Sequence, residues 1–225
     1  TADGYEQLFA VNFLGHFRLT LRLLDLLEAS AAAAAAATGG GGGSGGGVSG
    51  RIVNLASVMH RFGTTAWETS ATGNKVGGAF SSSYSDSKLA MVLFTQELRR
   101  RFRTKGSLAT AIAVNPGAVR SDIWRAMPRP IRPVFQLLSW LMFLDADQGS
   151  YTSVCAAALP TARLLPEYVQ PYWLPFGFAH PFELMGPFVG CRTAAPSLPP
   201  EPEAGAARLW EVCERLIAAA EAKRR

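Results

Sequence analysis

Residues 51–57 read RIVNLAS, and residues 109–114 read ATAIAV before an Asn-Pro-Gly turn. Both are short runs of β-branched and small apolar residues, which is typical of buried strands. Between them, residues 81–103 (SSSYSDSKLAMVLFTQELRRRFR) repeat apolar side chains at helical spacing. A strand, a helix and a strand in this order predict a parallel pair joined by a right-handed crossover, and therefore an α/β fold class.

Further helices are predicted around this pair. Residues 5–28 form an amphipathic pattern, with Asp3 as the expected N-cap and Glu6 completing a capping box. Seven alanines at 31–37 favour an extension of this helix. Three more helices are predicted, over residues 132–144, 147–158 and 203–223. Residues 58–80 are predicted as a loop, and no helix is predicted in the aromatic, proline-rich residues 164–190.

A low-complexity Ala/Gly insertion occupies residues 31–50, and nine of the twelve residues from 39 to 50 are glycine. Gly45, Gly47 and Gly50 spell GxGxxG, which resembles a dinucleotide fingerprint. That fingerprint needs a strand before it and a helix N-terminus after it, so that backbone N–H groups meet the phosphates. Here the predicted order is reversed, so we expect a flexible surface loop without phosphate binding.

Composition excludes several classes of protein. The 225 residues suit one domain with a sizeable core. Three widely spaced cysteines form neither a disulfide framework nor a zinc-ligand pattern, which favours an intracellular, reducing setting and no metal site. No apolar run reaches the roughly 18 residues of a membrane span. Because the sequence opens on Thr1, we expect a fragment of a longer chain.

The net charge of +5 equals the number of positive charges in one basic run of the sequence. The residues of that run are Arg99, Arg100, Arg101, Arg103 and Lys105. We expect a solvated helix end, where cations suit the helix dipole. Nucleic-acid binding would need a spread basic face with interleaved aromatic residues, which the sequence does not show.

One set of polar residues predicts chemistry. Ser57 closes the first strand, Tyr84 and Lys88 lie one turn apart on the next helix, and Asn12 lies on the first helix. Ligands of parallel sheets bind at the carboxyl ends of the strands, so a shared site is expected there. An ammonium group near a phenol lowers the phenol pKa from about 10. Tyr84 is thus predicted to exchange a proton with an alcohol or carbonyl oxygen held by Ser57, while a cofactor carries the hydride.

The order of these segments resembles the C-terminal two-thirds of a short-chain dehydrogenase/reductase, in the retinol dehydrogenase-like and WW-domain oxidoreductase-like branch. The matching segments are VNFLGHF (11–17), RIVNLAS (51–57), YSDSKLA (84–90), NPGAVRS (115–121), DQG (147–149) and LWE (209–211). The resemblance implies a Rossmann-like, doubly wound parallel sheet that is N-terminally incomplete in this chain. Residues 1–225 would form a single C-terminal portion of that domain.

The resemblance also implies a role for each matching residue. Tyr84 would be the acid/base, Lys88 would bind the nicotinamide ribose, and Ser57 would orient the substrate oxygen. Asn12 would hold a water that links Lys88 to solvent. The implied cofactor-binding residues are Tyr84, Lys88, Pro116, Gly117, Val119 and Ser121, and Ser121 stands where the family usually has threonine.

The implied reaction interconverts an alcohol and a carbonyl with NADP or NAD, and NADP is favoured. Residues 164–190, together with Trp124, Met127, Phe135, Leu138 and Trp140, predict an apolar pocket for a retinoid, steroid or fatty aldehyde. The same aromatic segment is also compatible with a surface that dips into a membrane. The expected location is therefore cytoplasmic or membrane-associated, at the endoplasmic reticulum or another organelle.

Two alternatives remain open, because the family's strand–TGxxxGxG–helix segment and its NNAG-like segment do not occur in this chain. One is an enzyme like protochlorophyllide reductase, which has a similar Asn helix and a YxxxSK-like helix. The other is a truncated, non-catalytic interaction module. By itself the chain is expected to bind a dinucleotide poorly.

Overall fold

The computed structural model describes residues 1–37, 50–73, 82–120, 143–159, 168–172 and 190–223, with single positions between 130 and 140. The helices are α1 (Gln7–Phe9), α2 (Gly15–Ala37), α3 (Trp67–Thr72), α4 (Ser82–Lys105), α5 (Ala146–Ala158) and α6 (Pro202–Ala222). A π-helical turn (Ala10–Leu14) joins α1 to α2, and a 3₁₀ helix spans Val58–Phe62. The strands are β1 (Arg51–Leu55), β2 (Thr110–Val114), β3 (Tyr168–Tyr172) and β4 (Gly190–Ala194).

The four strands form one sheet in the order β1-β2-β3-β4. The strands β1, β2 and β3 are parallel, and Leu55 of β1 lies in register with Val114 of β2. The predicted α/β class and its parallel pair are therefore confirmed. The sequence did not predict β3, nor β4, which runs antiparallel to β3.

Helices cover both faces of the sheet, as a doubly wound fold requires. Alternate residues of β2 point to opposite faces. Ala111 belongs to the core formed with α2, α4 and α6, whereas Ile112 and Val114 pack with Ala156 of α5. Arg51 strengthens the second face, since its Nη1 donates to the carbonyl oxygens of Ala156 and Leu159 at 2.7 and 2.8 Å. Those carbonyls lie at the C-terminal end of α5, where a cation is favourable.

An aromatic cluster holds α2, α4 and α6 together on the first face. The ring centroid of Phe17 lies 5.0 Å from that of Phe94 and 5.1 Å from that of Trp210. The Arg101 guanidinium stacks on the outer side of Trp210, with Cζ 3.6 Å from a ring centroid. Tilted and edge-to-face rings add to the energy of apolar burial, so this cluster is a major source of stability.

The first helix differs from the prediction at its beginning and agrees at its end. The N-cap is Glu6 and not Asp3, because the Glu6 carboxylate accepts from the Phe9 N–H at 2.7 Å. The helix extends through the alanines to Ala37, as predicted, and Ala31 is buried. Part of the predicted insertion at 31–50 is therefore helix, and residues 38–49 lie outside the described residues.

Gly50 leads from the glycine-rich segment into β1. A Cβ at this position would lie 2.2 Å from the Leu27 carbonyl oxygen, so only glycine fits against α2. Within the described residues, α2 precedes the glycine-rich segment and β1 follows it. This is the order opposite to that of a dinucleotide-binding loop, as the sequence predicted.

The region between β1 and α4 is more ordered than predicted. The expected loop at 58–80 contains the 3₁₀ helix and α3, and residues 74–80 lie outside the described residues. Trp67 anchors α3 to the core, because its ring is fully buried and its Nε1 donates to the Gly205 carbonyl at 3.0 Å. Most of the aromatic segment at 164–190 also falls outside the described residues. Of the helix predicted at 132–144, the described positions 133, 136–137 and 139–140 are helical, and Leu144 forms a β-bridge.

Four of the five cations of the basic run are exposed at the end of α4, as predicted, and Arg99 is the exception. Arg99 is buried and donates to the Ala111 carbonyl at 3.2 Å. Arg100 and Arg101 both pair with the buried Glu97 carboxylate at 2.7 Å. Lys105, at the end of the run, pairs with Glu28 of α2.

Replacing Trp210 by alanine should destabilise the chain by about 3–5 kcal/mol, because a large buried side chain leaves a cavity between three helices. Urea unfolding measures this change. Trp140 provides a matched control, since it is 66% exposed whereas Trp210 is 5% exposed. Trp140→Ala should change the free energy of unfolding by less than about 0.5 kcal/mol. Equal losses in the two variants would contradict the assignment of the aromatic cluster.

Candidate active site

The carboxyl ends of β1 and β2 lie side by side and define the edge where the candidate site lies. The Ala56 N–H donates to the Val114 carbonyl at 2.7 Å, and the Asn115 N–H donates to the Val169 carbonyl at 2.8 Å. Ser57 and Asn115 therefore leave neighbouring strands at the same edge. This is the position at which open α/β sheets bind ligands.

Local contacts hold Ser57 at the end of β1. It caps the 3₁₀ helix, and its Oγ accepts from the Met59 N–H at 3.3 Å. Its carbonyl oxygen lies 2.7 Å from Nδ1 of the buried His60. The His60 ring centroid is 5.4 Å from that of Tyr168 on β3. His60 is thus a structural residue that ties the start of the 3₁₀ helix to the sheet.

Tyr84 and Lys88 lie on the first turns of α4 and meet Ser57. Tyr84 is partly buried, and its side chain forms a hydrogen bond with that of Ser57. Lys88 Nζ lies 5.6 Å from the centroid of the Tyr84 ring and donates to the Leu55 carbonyl at 2.9 Å. The structure therefore brings together three of the four residues that the sequence predicted as catalytic.

Burial shifts the pKa of Tyr84 and that of Lys88 in opposite directions, and each shift favours the uncharged form of the side chain. Desolvation raises the pKa of Tyr84 above 10.0, and the hydrogen bond from Ser57 opposes this shift. Desolvation also lowers the pKa of Lys88 to about 8. The predicted net lowering of the Tyr84 pKa is wrong for the chain as described, because loss of solvent around the phenol outweighs the favourable interactions.

Asn12 contacts the first turns of α4 through its side-chain amide. It lies in the π-helical turn, and its Nδ2 donates to Ser87 Oγ at 3.2 Å. Ser87 Oγ in turn donates to the Tyr84 carbonyl at 2.7 Å. Asn12 therefore reaches the backbone of Tyr84 through Ser87, a residue that sequence reasoning did not single out. Its spacing from Asn12, 75 residues, gave no signal of this contact.

The turn after β2 contributes backbone geometry. Asn115 is buried, and its Oδ1 accepts from the Gly117 N–H at 3.0 Å. Gly117 has a φ of 80°, which favours glycine at this position. Pro116 precedes it and is partly buried. This turn places peptide groups beside the end of β1.

Val119 has a packing role in the structure. It forms an isolated parallel bridge with Leu144. A Cβ at Gly149 of α5 would come within 2.4 Å of the Val119 side chain, so that glycine allows Val119 to pack closely on α5. Ser121, the last residue predicted to bind cofactor, lies outside the described residues.

The described residues place charge and a tight turn at the same sheet edge. Lys88 supplies a buried ammonium group near the Tyr84 ring, and Gly117 forms a turn with positive φ at the end of the adjacent strand. In the described part of the chain, His, Cys, Asp and Glu side chains form no cluster suited to a metal ion. Within the same residues, no helix has the length and apolar character needed to cross a membrane.

Comparison with known proteins identifies the family. Residues 1–131 match the family described as short chain dehydrogenase. The chain belongs to the short-chain dehydrogenase family. The predicted retinol dehydrogenase-like resemblance is confirmed by its curated relatives. Human polyprenol dehydrogenase is 36% identical over 162 residues, which are 71% of this chain and 44% of that protein.

Two retinol dehydrogenases are similarly related to this chain. Mouse retinol dehydrogenase 14 is 36% identical over 71% of the chain and 42% of its own length. Human retinol dehydrogenase 13 is 32% identical over 96% of the chain and 55% of its own length. The chain thus spans about half the length of the curated relatives it matches.

A solved structure supports the fold of this chain. An uncharacterised protein from Mycobacterium paratuberculosis matches with a TM-score of 0.56 and 25% sequence identity. The match covers 96% of this chain and 60% of that one. The α/β architecture described above is therefore shared with a known structure.

The buried Lys88 predicts a pH-dependent stability. Its pKa is about 8 in the folded chain against 10.5 for the free side chain. Between these values the unfolded chain binds the proton more tightly, so the free energy of unfolding should rise with pH. Lys88→Met keeps the apolar stem and removes the titration. Urea unfolding from about pH 8 to about pH 10 should show the wild-type chain gaining stability relative to this variant. Parallel pH profiles would contradict the burial of the ammonium group.

Proposed function

We propose that this chain carries the proton-transfer residues of an NAD(P)-dependent oxidoreductase that interconverts an alcohol and a carbonyl. The observation that supports this most directly is the meeting of Ser57, Tyr84 and Lys88 at the carboxyl end of β1. A phenol, a hydroxyl and an ammonium group at a strand end match the needs of such a reaction. Family membership supports the same reaction class.

In the proposed mechanism, Tyr84 moves the proton. During oxidation the phenolate of Tyr84 takes the proton from the substrate hydroxyl, and during reduction the phenol returns it to the carbonyl oxygen. Ser57, which already hydrogen-bonds Tyr84, orients the substrate oxygen beside the phenol. When bound, the nicotinamide accepts or donates the hydride.

Lys88 is proposed to bind the nicotinamide ribose and to favour the phenolate. One of its N–H groups donates to the Leu55 carbonyl, which aims the ammonium toward the strand end. With a pKa of about 8 it carries its charge over most of the neutral range. A charged Lys88 favours the Tyr84 phenolate, which is the form required for alcohol oxidation.

The remaining predicted residues receive supporting roles in the proposal. Asn12 holds a water that links Lys88 to solvent, and its contact with Ser87 keeps it beside α4. The backbone of Pro116, Gly117 and Val119, with the hydroxyl of Ser121, holds the nicotinamide side of the cofactor. NADP is proposed as the preferred cofactor on the sequence resemblance.

A lipophilic alcohol or carbonyl is the proposed substrate. Relatives bear the names polyprenol dehydrogenase and retinol dehydrogenase, and each name refers to an apolar isoprenoid alcohol. Leu55 and Phe62, which flank Ser57 along the chain, are 48% and 69% exposed. These exposed side chains supply apolar surface on the chain segments either side of Ser57. Since such substrates partition into lipid, we also propose contact with an intracellular membrane surface.

Tyr84→Phe tests the function. The longest natural chain containing these residues is assayed for reduction of NADP and NAD with retinol and a polyprenol. The variant should lose about 10²- to 10⁴-fold in kcat, because it removes the proton donor and acceptor while leaving the ring. Tyr151→Phe, the same change at an exposed tyrosine of α5, should keep full activity. Unchanged turnover in Tyr84→Phe would overturn the proposal and favour an interaction module.

The substrate class has a separate test. The ratio of kcat to KM for retinol or a polyprenol is expected to exceed that for a small polar alcohol, because the larger apolar substrate buries more surface. NADP is expected to support faster turnover than NAD in the same assay. Activity confined to small polar carbonyls would contradict the lipophilic class and leave the reaction type intact.

A further inference from the structure

The segment that follows Ser57 lies directly on the helix that carries Tyr84. We call residues 58–72 the crossing segment. It contains Gly63, where a Cβ would come within 2.6 Å of the Ser85 carbonyl oxygen and 2.7 Å of the Leu89 Cβ. Any side chain at position 63 would push the crossing segment off α4. The segment and the catalytic helix therefore meet backbone to backbone.

A buried carboxylate reinforces this contact. Asp86 is fully buried on α4, between Tyr84 and Lys88 in the sequence. Its Oδ1 accepts from the backbone N–H and the hydroxyl of Thr64, at 2.8 and 3.2 Å. Its Oδ2 lies 2.7 Å from Ser70 Oγ. Both side-chain oxygens take part in these contacts, so Asp86 holds the crossing segment at two points.

These contacts close a loop around the proposed active site. The crossing segment begins next to Ser57, and Asp86 lies two residues from both Tyr84 and Lys88. Fixing Thr64 and Ser70 on α4 therefore limits how far Ser57 can move from Tyr84. The proposed reaction does not use an acid at position 86. Aspartate side chains are rarely fully buried unless they are paired, so the contacts with Thr64 and Ser70 explain why Asp86 is buried.

We propose that Asp86 is a positioning residue for the proposed dehydrogenase site. Its carboxylate docks the crossing segment on α4 and so keeps the Ser57 hydroxyl in hydrogen-bond contact with Tyr84. The inference rests on the proposed function. It adds a residue that acts through Ser57 and touches neither substrate nor cofactor.

The test compares Asp86→Ala with Asp86→Asn in the longest natural chain containing these residues. Asp86→Ala leaves the Thr64 N–H without its acceptor, and kcat should fall about 10- to 100-fold, since small displacements of reacting groups are costly. Asp86→Asn should restore most of the activity, because its amide oxygen still accepts from Thr64 and its NH₂ can donate to Ser70. Asp147→Ala, at an exposed position of α5, serves as the matched control and should be unchanged.

A double-mutant cycle separates positioning from general stability. In a Ser57→Ala background, Asp86→Ala should lower kcat by less than about twofold, because the residue through which it acts is already absent. The pH profile gives a second readout. The Ser57 hydrogen bond lowers the pKa of Tyr84, so Asp86→Ala should shift the acid limb of the profile for alcohol oxidation to higher pH. An equal loss in both backgrounds with an unmoved profile would overturn the proposal.

A milder variant covers the case in which Asp86→Ala does not fold. Ser70→Ala removes one partner of the carboxylate and leaves Asp86 and Thr64 in place. It should show a smaller loss of kcat and a pH shift in the same direction, and unchanged values would overturn the proposal. Failure of the proposed function looks different, since the wild-type chain would then lack turnover or Tyr84→Phe would retain it.

Discussion

The packing of α4 constrains most of the molecule. Leu89, Leu93, Phe94 and Leu98 are almost completely buried between the sheet and the helices α2 and α6. The same helix presents Tyr84 and Lys88 at the strand ends, so the position of the site follows from the packing of the core. A rotation of α4 would disturb both at once. Ser57 follows β1, whereas Tyr84 and Lys88 lie on α4. Tight packing of α4 explains how side chains from these separate elements keep their hydrogen-bond geometry.

Sequence patterns predicted the elements whose signals are local. The helix α4 and the strands β1 and β2 were predicted to within two residues, because periodicity and an Asn-Pro-Gly turn mark them. The grouping of Ser57, Tyr84 and Lys88 followed from strand order. The strands β3 and β4 were missed, since Pro171 and the surrounding aromatic residues carry no clear strand pattern. Contacts such as Asn12 with Ser87 depend on packing between distant segments, which no local pattern reports.

The predicted lowering of the Tyr84 pKa was wrong because it too depends on packing that no local pattern reports. Residue spacing indicates which charges are neighbours, but it does not indicate how much water surrounds them. Around Tyr84 and Lys88 the loss of water is the larger effect, and it moves both groups toward neutrality. The raised pKa of Tyr84 favours its protonated form in the chain alone, whereas the sequence argument expected the Lys88 ammonium to lower that pKa.

The position of Trp210 has a consequence for biosynthesis. The Phe17 and Phe94 rings are covered only when α6 has docked, and α6 is the last helix of the chain as given. A ribosome releases this helix after every other described element. Until then the nascent chain exposes an aromatic surface, the kind of species that aggregates or needs a chaperone. A premature stop codon before residue 202 would therefore leave all three residues of the candidate site in place and still yield a chain that the cell must degrade.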